Sequence, residues 1–222
     1  MVEIAKYHLP PTELVPNSPR PLLHYKKAIS PGSAVDAWNL FTNNGWHVSW
    51  IFRYGATQAS HYHSKAHECM AVLSGTATIR FGVADTSDDL EASTSGSARE
   101  PGGVELRAEA GDVFVIPAGV AHKTFGAKPE AGFALLTPGA GRGLGDADPR
   151  EVLEGIELTG FTMLGAYSGG DWDFVKGGGR FETSWGVAKP ELDPVFGLGD
   201  EGLCKTWPGT DRGADVEEVV LE

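Results

Sequence analysis

The chain has 222 residues, enough for one well-buried domain and marginal for two, and its 22% charged and 41% hydrophobic residues are ordinary for a globular protein. Thirty glycines and fourteen prolines point away from a helical bundle and toward strands, turns and loops, so an all-β fold is expected. The formal net charge of −12 excludes a surface built to neutralise phosphates, and with it a nucleic-acid partner.

The first residues, "LPPTELVPNSPRPLL" at 9–23, carry five prolines and predict an extended arm laid on the surface, of the kind that packs against a partner subunit. A short helix follows. Ser33 is its cap, Asp36 stands three residues on as in a capping box, Trp38 and Phe41 share a face, and "NNG" at 43–45 ends it. From Trp46 the period becomes two: Trp46, Val48, Trp50, Phe52 and Tyr54 alternate with His47, Ser49, Ile51 and Arg53, predicting a strand with one apolar face. Alternation alone leaves open which face looks inward. A site lined by Ser49, Arg53 and Arg80 would suit an anion, and one closed by Trp46, Trp50 and Phe52 an apolar ligand. Arg53 and Arg80 are read as solvated charges and stay outside the candidate site.

Strand-like runs recur at "ECMAVLSG", "TATIRFGV", "VELRAEAG", "DVFVIP", "HKTFG", "FALLTPG" and "FTMLGAYSG", each bounded by Gly or Pro, as in a sandwich or barrel. Residues 84–103 have no aromatic and one leucine, too little apolar surface to offset their ordering entropy, and are expected to form a mobile, solvated loop. Residues 138–160 read as an insertion with one small helix, capped by Asp148 with Pro149 in its first turn and Glu151 as capping-box partner. From 168 the chain is glycine-rich and aperiodic, an irregular wrap over a single domain spanning 1–222. No run approaches the roughly eighteen apolar residues of a membrane span, and the start lacks the basic-then-apolar pattern of a signal peptide. Two distant cysteines, Cys69 and Cys204, add to the expectation of a cytoplasmic protein without a membrane partner. Cys69, in an apolar run, reads as a small buried hydrophobe.

The stretch "HYHSKAHE", 61–68, holds three of the seven histidines and a glutamate. In extended chain His61 and His63 present two imidazoles to one side, half of a metal site. Glu68 lies at an odd offset from His63, so "SKA" must turn the chain before Glu68 can face the pair. His67 then points away. His122, after the strand "DVFVI" and the turn "PAG", can return to the interior as a fourth donor. Three imidazoles and a carboxylate suit one divalent transition ion per chain, Fe, Mn, Ni, Cu or Zn, and the ligand types do not choose among them.

Residues 55–75 run Gly55, five residues, His61, Tyr62, His63, four residues, Glu68, six residues, Gly75; residues 111–122 run Gly111, five residues, Pro117, Ala118, Gly119, two residues, His122. In order and spacing these resemble the two signature motifs of the cupin superfamily. The resemblance implies a double-stranded β-helix, a small jelly-roll barrel, with a metal held by His61, His63, Glu68 and His122. One position departs: where an asparagine commonly follows the last histidine by four residues, this chain has Gly126. The phrases "PRPLLHYKKAI", "AGDVFVIPAGVAHKTFG", "MLGAYSGGDWD" and "LDPVFG" extend the likeness to a group of bacterial and fungal single-domain cupins, whose shorter bacterial members lack the insertion at about 127–160.

Cupins include dioxygenases, decarboxylases, isomerases and epimerases. The favoured expectation is a metal-dependent enzyme acting on a small organic molecule, a dioxygenase-like oxidoreductase. The alternatives are a metal-dependent isomerase, lyase or decarboxylase, with Glu68 as general base and His67 or Tyr62 behind it, and a non-catalytic cupin that binds a small molecule or sugar through its metal. A storage or scaffold role, which some cupins have, gives no physical reason for converging imidazoles. A homodimer is expected, the proline-rich arm offering a strand to exchange.

Overall fold

The computed structural model describes residues 2–169 and 171–207. Ten strands form two antiparallel sheets. The larger comprises β1 (Glu3–Tyr7), β2 (Leu22–Lys26), β3 (His47–Tyr54), β4 (Glu68–Ser74), β7 (Val113–Ile116), β9 (Ala134–Leu135) and β10 (Phe161–Tyr167), in the order β1-β2-β7-β4-β10-β3-β9. The smaller comprises β5 (Thr76–Phe81), β6 (Val104–Glu109) and β8 (His122–Lys128), in the order β6-β5-β8. Isolated bridges Thr57↔Phe125 and His61↔His122 join the chain after β3 to β8 and close one side. The result is a double-stranded β-helix, the fold class expected.

Period-two burial sorts the large sheet's residues between two layers. Met70, Val72, Phe114, Ile116, Phe161, Met163 and Tyr167 face the small sheet and pack with Ile79, Phe81 and Leu106 in the barrel interior. Their neighbours Cys69, Ala71, Leu73, Val113, Val115, Leu164 and Ala166 face outward and would meet water if bare. That outer face is covered by helix α1 (Ala34–Asn43), by α3 (Pro149–Glu154) in the insertion, and by the C-terminal segment with α5 (Gly202–Thr206). Phe41, Leu153 and Leu203 are the side chains these helices bury, each contributing roughly 1.5–3 kcal/mol. The helices start where capping chemistry predicts: Ser33 accepts from the Asp36 N–H, and Asp148 from those of Arg150 and Glu151. Among the described residues no helix is long and apolar enough to cross a membrane.

Four expectations are corrected. The proline-rich arm is not merely laid on the surface: Leu22, Leu23, His24 and Tyr25 are buried in β2, which pairs with both β1 and β7 of its own chain. Leu22 faces the barrel interior and Leu23 and Tyr25 the outer layer, and this burial on both faces outweighs the flanking prolines.

Residues 84–103 are not a solvated tether. They contain helix α2 (Leu90–Thr94), capped by Asp89, and are anchored by polar rather than apolar groups. Buried Lys123 donates to Asp85 and to the Ser93 hydroxyl, and Arg80 donates to Glu105 and to the carbonyls of Ser93 and Thr94. Glu100 accepts from Thr12, Leu14 and Ala84. Arg80 is therefore buried rather than solvated, and two cations inside the protein require these partners.

The apolar residues of β3 do not share one face. The register with β10 slips between Gly165↔Trp50 and Ala166↔Val48, making Ser49 the extra residue of a β-bulge. Trp46 and Val48 consequently face the outer layer with Ile51, and only Trp50, Phe52 and Tyr54 face the barrel.

Candidate metal centre and its aromatic cavity

The turn 64–67 and the bridge His61↔His122 bring one end of the barrel together from segments distant in sequence. His61 and His63 come from the extended segment before β4, Glu68 opens β4 on the face of Met70 and Val72, and His122 opens β8. All four are buried. One nitrogen from each of His61, His63 and His122 lies within 4.8 Å of the others. Glu68 stands against two of them, its Oε1 at 3.3 Å from His63 Nε2 and its Oε2 at 3.2 Å from His122 Nε2.

Backbone carbonyls decide what these nitrogens offer. His63 Nδ1 faces the carbonyl of Asp173, His61 Nδ1 that of Ala59 at 3.3 Å, and His122 Nδ1 that of Val120 at 3.4 Å. A carbonyl only accepts, so each Nδ1 carries a proton and each Nε2 is the atom turned to the centre. Without a proton of its own, each Nε2 offers a lone pair, and lone pairs converging on a carboxylate repel one another unless a cation lies among them. Glu68 Oε2 moreover has no hydrogen-bond partner despite complete burial. Burial opposes the Glu68 charge, but the imidazoles of His63 and His122 and hydrogen bonds from His63 and Tyr167 outweigh it and hold the carboxyl at about 2. Burial, with the neighbouring imidazoles, pushes His61 well below its usual value and lowers His122. Burial opposes a charge on His63, but the Glu68 carboxylate beside it raises its value, so a proton held there is one that a bound ion would displace. A buried carboxylate among imidazoles is the donor set a divalent ion takes.

A chain of aromatic residues that sequence reasoning missed supports Glu68. The Tyr167 hydroxyl donates to Glu68 Oε1 at 2.6 Å and accepts from Trp50 Nε1 at 2.9 Å. Trp50 reaches it because Gly165 leaves room: a Cβ there would stand 2.1 Å from Trp50 Cζ2. Both residues lie in strand runs whose pattern carries no sign of this function. The "GGDWDF" stretch, aperiodic in sequence, supplies the other side. Asp173 accepts from the Ser64 N–H and hydroxyl, its carbonyl meets His63, Trp172 stacks on Tyr167, and the Phe174 ring lies 4.0 Å from that of His61.

The cavity over the four residues measures about 210 Å³. Its walls are Trp50, Phe52, Tyr54, Phe133, Tyr167, Trp172 and Phe174, with Gln58 and the four polar residues as its remaining lining. Of the groups weighed from sequence, Trp50 and Phe52 enter it. Trp46 packs on the outer face, its Nε1 donating to the Leu192 carbonyl, and Arg53 donates to Gly132 and Thr159 at the surface. His67 and Tyr62 do not touch the centre. His67 accepts the Ala118 N–H at 2.9 Å beside Arg20 and Trp207, and Tyr62 donates to the Gly178 carbonyl. Gly126 has φ +63 with nothing near it, in the slipped register of β8 on β5. Glycine and asparagine are the residues that enter this region most readily, so the departure at 126 keeps the backbone shape.

The chain is 28% identical over 215 residues to the uncharacterised YjlB of Bacillus subtilis strain 168, covering 92% of this chain and 97% of that one. Among solved structures it is similar to an oxalate decarboxylase–formate complex from Lactobacillus farciminis (15% identity, TM-score 0.30, 57% of this chain and 25% of that one). It is also similar to procruciferin, an 11S globulin from Brassica napus (9% identity, TM-score 0.29, 69% of this chain and 22% of that one). The chain thus spans about a quarter or less of those two proteins' length. The family model described as cupin matches residues 18–138, which include both histidine segments and the strands between them, and the chain belongs to the cupin family.

Proposed function

We propose that this protein is a metal-dependent enzyme in which His61, His63, His122 and Glu68 hold one divalent transition-metal ion, and that it is a dioxygenase-like oxidoreductase acting on a small organic molecule. The observation that carries the reading is the set of three buried imidazoles, each with Nδ1 against a backbone carbonyl, beside a buried carboxylate oxygen without a hydrogen-bond partner at the floor of a cavity. A redox-active ion held there would relay electrons from the organic molecule to dioxygen and return to its starting oxidation state.

The chain's own residues bind, orient and exclude. Trp50 and Tyr167 fix Glu68 so that the carboxylate does not swing toward the cavity. The aromatic walls hold the substrate over the centre and keep water out, which strengthens every charge interaction within.

The test is the metal content of anaerobically purified protein by elemental mass spectrometry, followed by oxygen uptake. The expected result is an ion near one per chain, lost in His61→Ala and His122→Ala, with iron and substrate-dependent oxygen uptake. Unchanged metal content in both variants overturns the ligand assignment, and zinc, nickel or manganese without oxygen uptake overturns the oxidoreductase reading.

A further inference from the structure

We infer that the cavity selects a neutral molecule carrying one planar ring. This rests on the proposed metal centre only for what lies at the cavity floor. Seven of the twelve lining residues are Trp, Tyr or Phe, and none is Lys or Arg. The one fixed charge in the lining is the negative Glu68, so a dianion such as oxalate would meet no side-chain cation for its second carboxylate.

Size narrows the class further. An apolar cavity of about 150 Å³ accommodates benzene, so about 210 Å³ admits one ring with a few substituent atoms and excludes two fused rings with side chains. The ring faces fit a plane. Trp50 and Phe52 lie tilted at 48° with centroids 5.0 Å apart, Phe133 stacks on Phe52 at 5.1 Å, and Trp172 stacks on Tyr167 at 5.6 Å. These offer flat and edge surfaces on both sides of the opening, the geometry in which an aromatic guest gains beyond its burial. Phe133 and Phe174 are 60% and 52% exposed, large apolar rings at the mouth, where an apolar guest first leaves water. Gln58 is the only uncharged amide in the lining and suits a ring hydroxyl or carbonyl.

The probes are 4-methylphenol, cyclohexanol and oxalate, titrated by ligand-observed NMR onto the full-length protein as purified, with metal content measured on the same samples. The expected result is saturable binding of 4-methylphenol, at least fivefold weaker binding of cyclohexanol, and no binding of oxalate beyond that abolished by a chelator. Phe133→Ala, at a position 60% exposed, is expected to weaken 4-methylphenol at least fivefold and leave metal content unchanged. Metal-loaded protein that binds oxalate and not 4-methylphenol, or binds cyclohexanol equally well, overturns this inference and leaves the metal centre standing. Metal-free protein that still binds 4-methylphenol upholds the inference and removes the metal reading.

Discussion

Replacing Tyr167 with Phe removes one oxygen atom and breaks two hydrogen bonds inside the barrel, and its cost follows from the structure. Tyr167, Trp50 and Glu68 are 1%, 4% and 1% exposed, so water does not replace what is lost. Glu68 loses a charge-assisted bond of 2.6 Å, about 1.5–3 kcal/mol, and the Trp50 N–H loses its acceptor, about 1–3 kcal/mol for a buried donor left unpaired. The expected destabilisation is about 3–5 kcal/mol. For a chain of this length it lowers Tm on the order of 10 °C. The assay is thermal unfolding followed by circular dichroism after chelator treatment, so that metal binding does not contribute to the folded state. Trp50→Phe supplies the second arm of a double-mutant cycle: with the indole N–H already gone, Tyr167→Phe costs less by about 1–3 kcal/mol. There is also a pH signature. Glu68 has a folded value of about 2 against 4.5 unperturbed, so its contribution is present above 4.5 and lost as pH falls toward 2. Because Tyr167 helps hold the value low, the gap between wild type and Tyr167→Phe narrows over that interval. A Tm drop under about 2 °C, or an equal drop in the Trp50→Phe background, refutes the linked arrangement.

Two further outcomes are expected. Gly165→Ala places a methyl inside the Trp50 ring, which must leave its rotamer, so stability falls by about 1–3 kcal/mol and the buried-indole fluorescence shifts to longer wavelength; an unshifted spectrum contradicts the packing. His67 is held at about 3, first by burial and then by Arg20, so stability it confers is present above pH 6.5 and lost at about 1.4 kcal/mol per pH unit as pH falls from 6.5 toward 3. His67→Gln is expected to flatten the dependence of unfolding free energy on pH by that one proton, and parallel slopes in the two proteins exclude His67 as its source.

Much of the candidate site was legible because local chemistry governs it. Spacing placed His61 and His63 on one side, required a turn before Glu68, and turned His67 away, since extended backbone alternates its side chains and those four positions need only that rule. The helices at 34–43 and 149–154 were likewise announced by Ser33 and Asp148, whose caps act within three residues. The errors share a different cause. The β3 bulge at Ser49 exists because β10 pairs with β3 in a slipped register, a long-range contact to which alternation is blind, and it alone decides that Trp50 lines the cavity while Trp46 packs outside. Residues 84–103 lack apolar surface, yet they are held by Lys123 and Arg80 from the barrel, cations whose need for partners arises only on burial.

The sequence by itself therefore determined the strand pattern and the cupin motifs, and through their likeness to that family the set of His61, His63, Glu68 and His122, because periodicity, spacing and capping are properties of short stretches. Only the tertiary structure decided what those four residues meet. The carbonyls that turn each imidazole, the Trp50–Tyr167–Glu68 chain and the aromatic walls from 133 and 172–174 come from segments tens of residues apart, and packing, not local pattern, brings them to one end of the barrel.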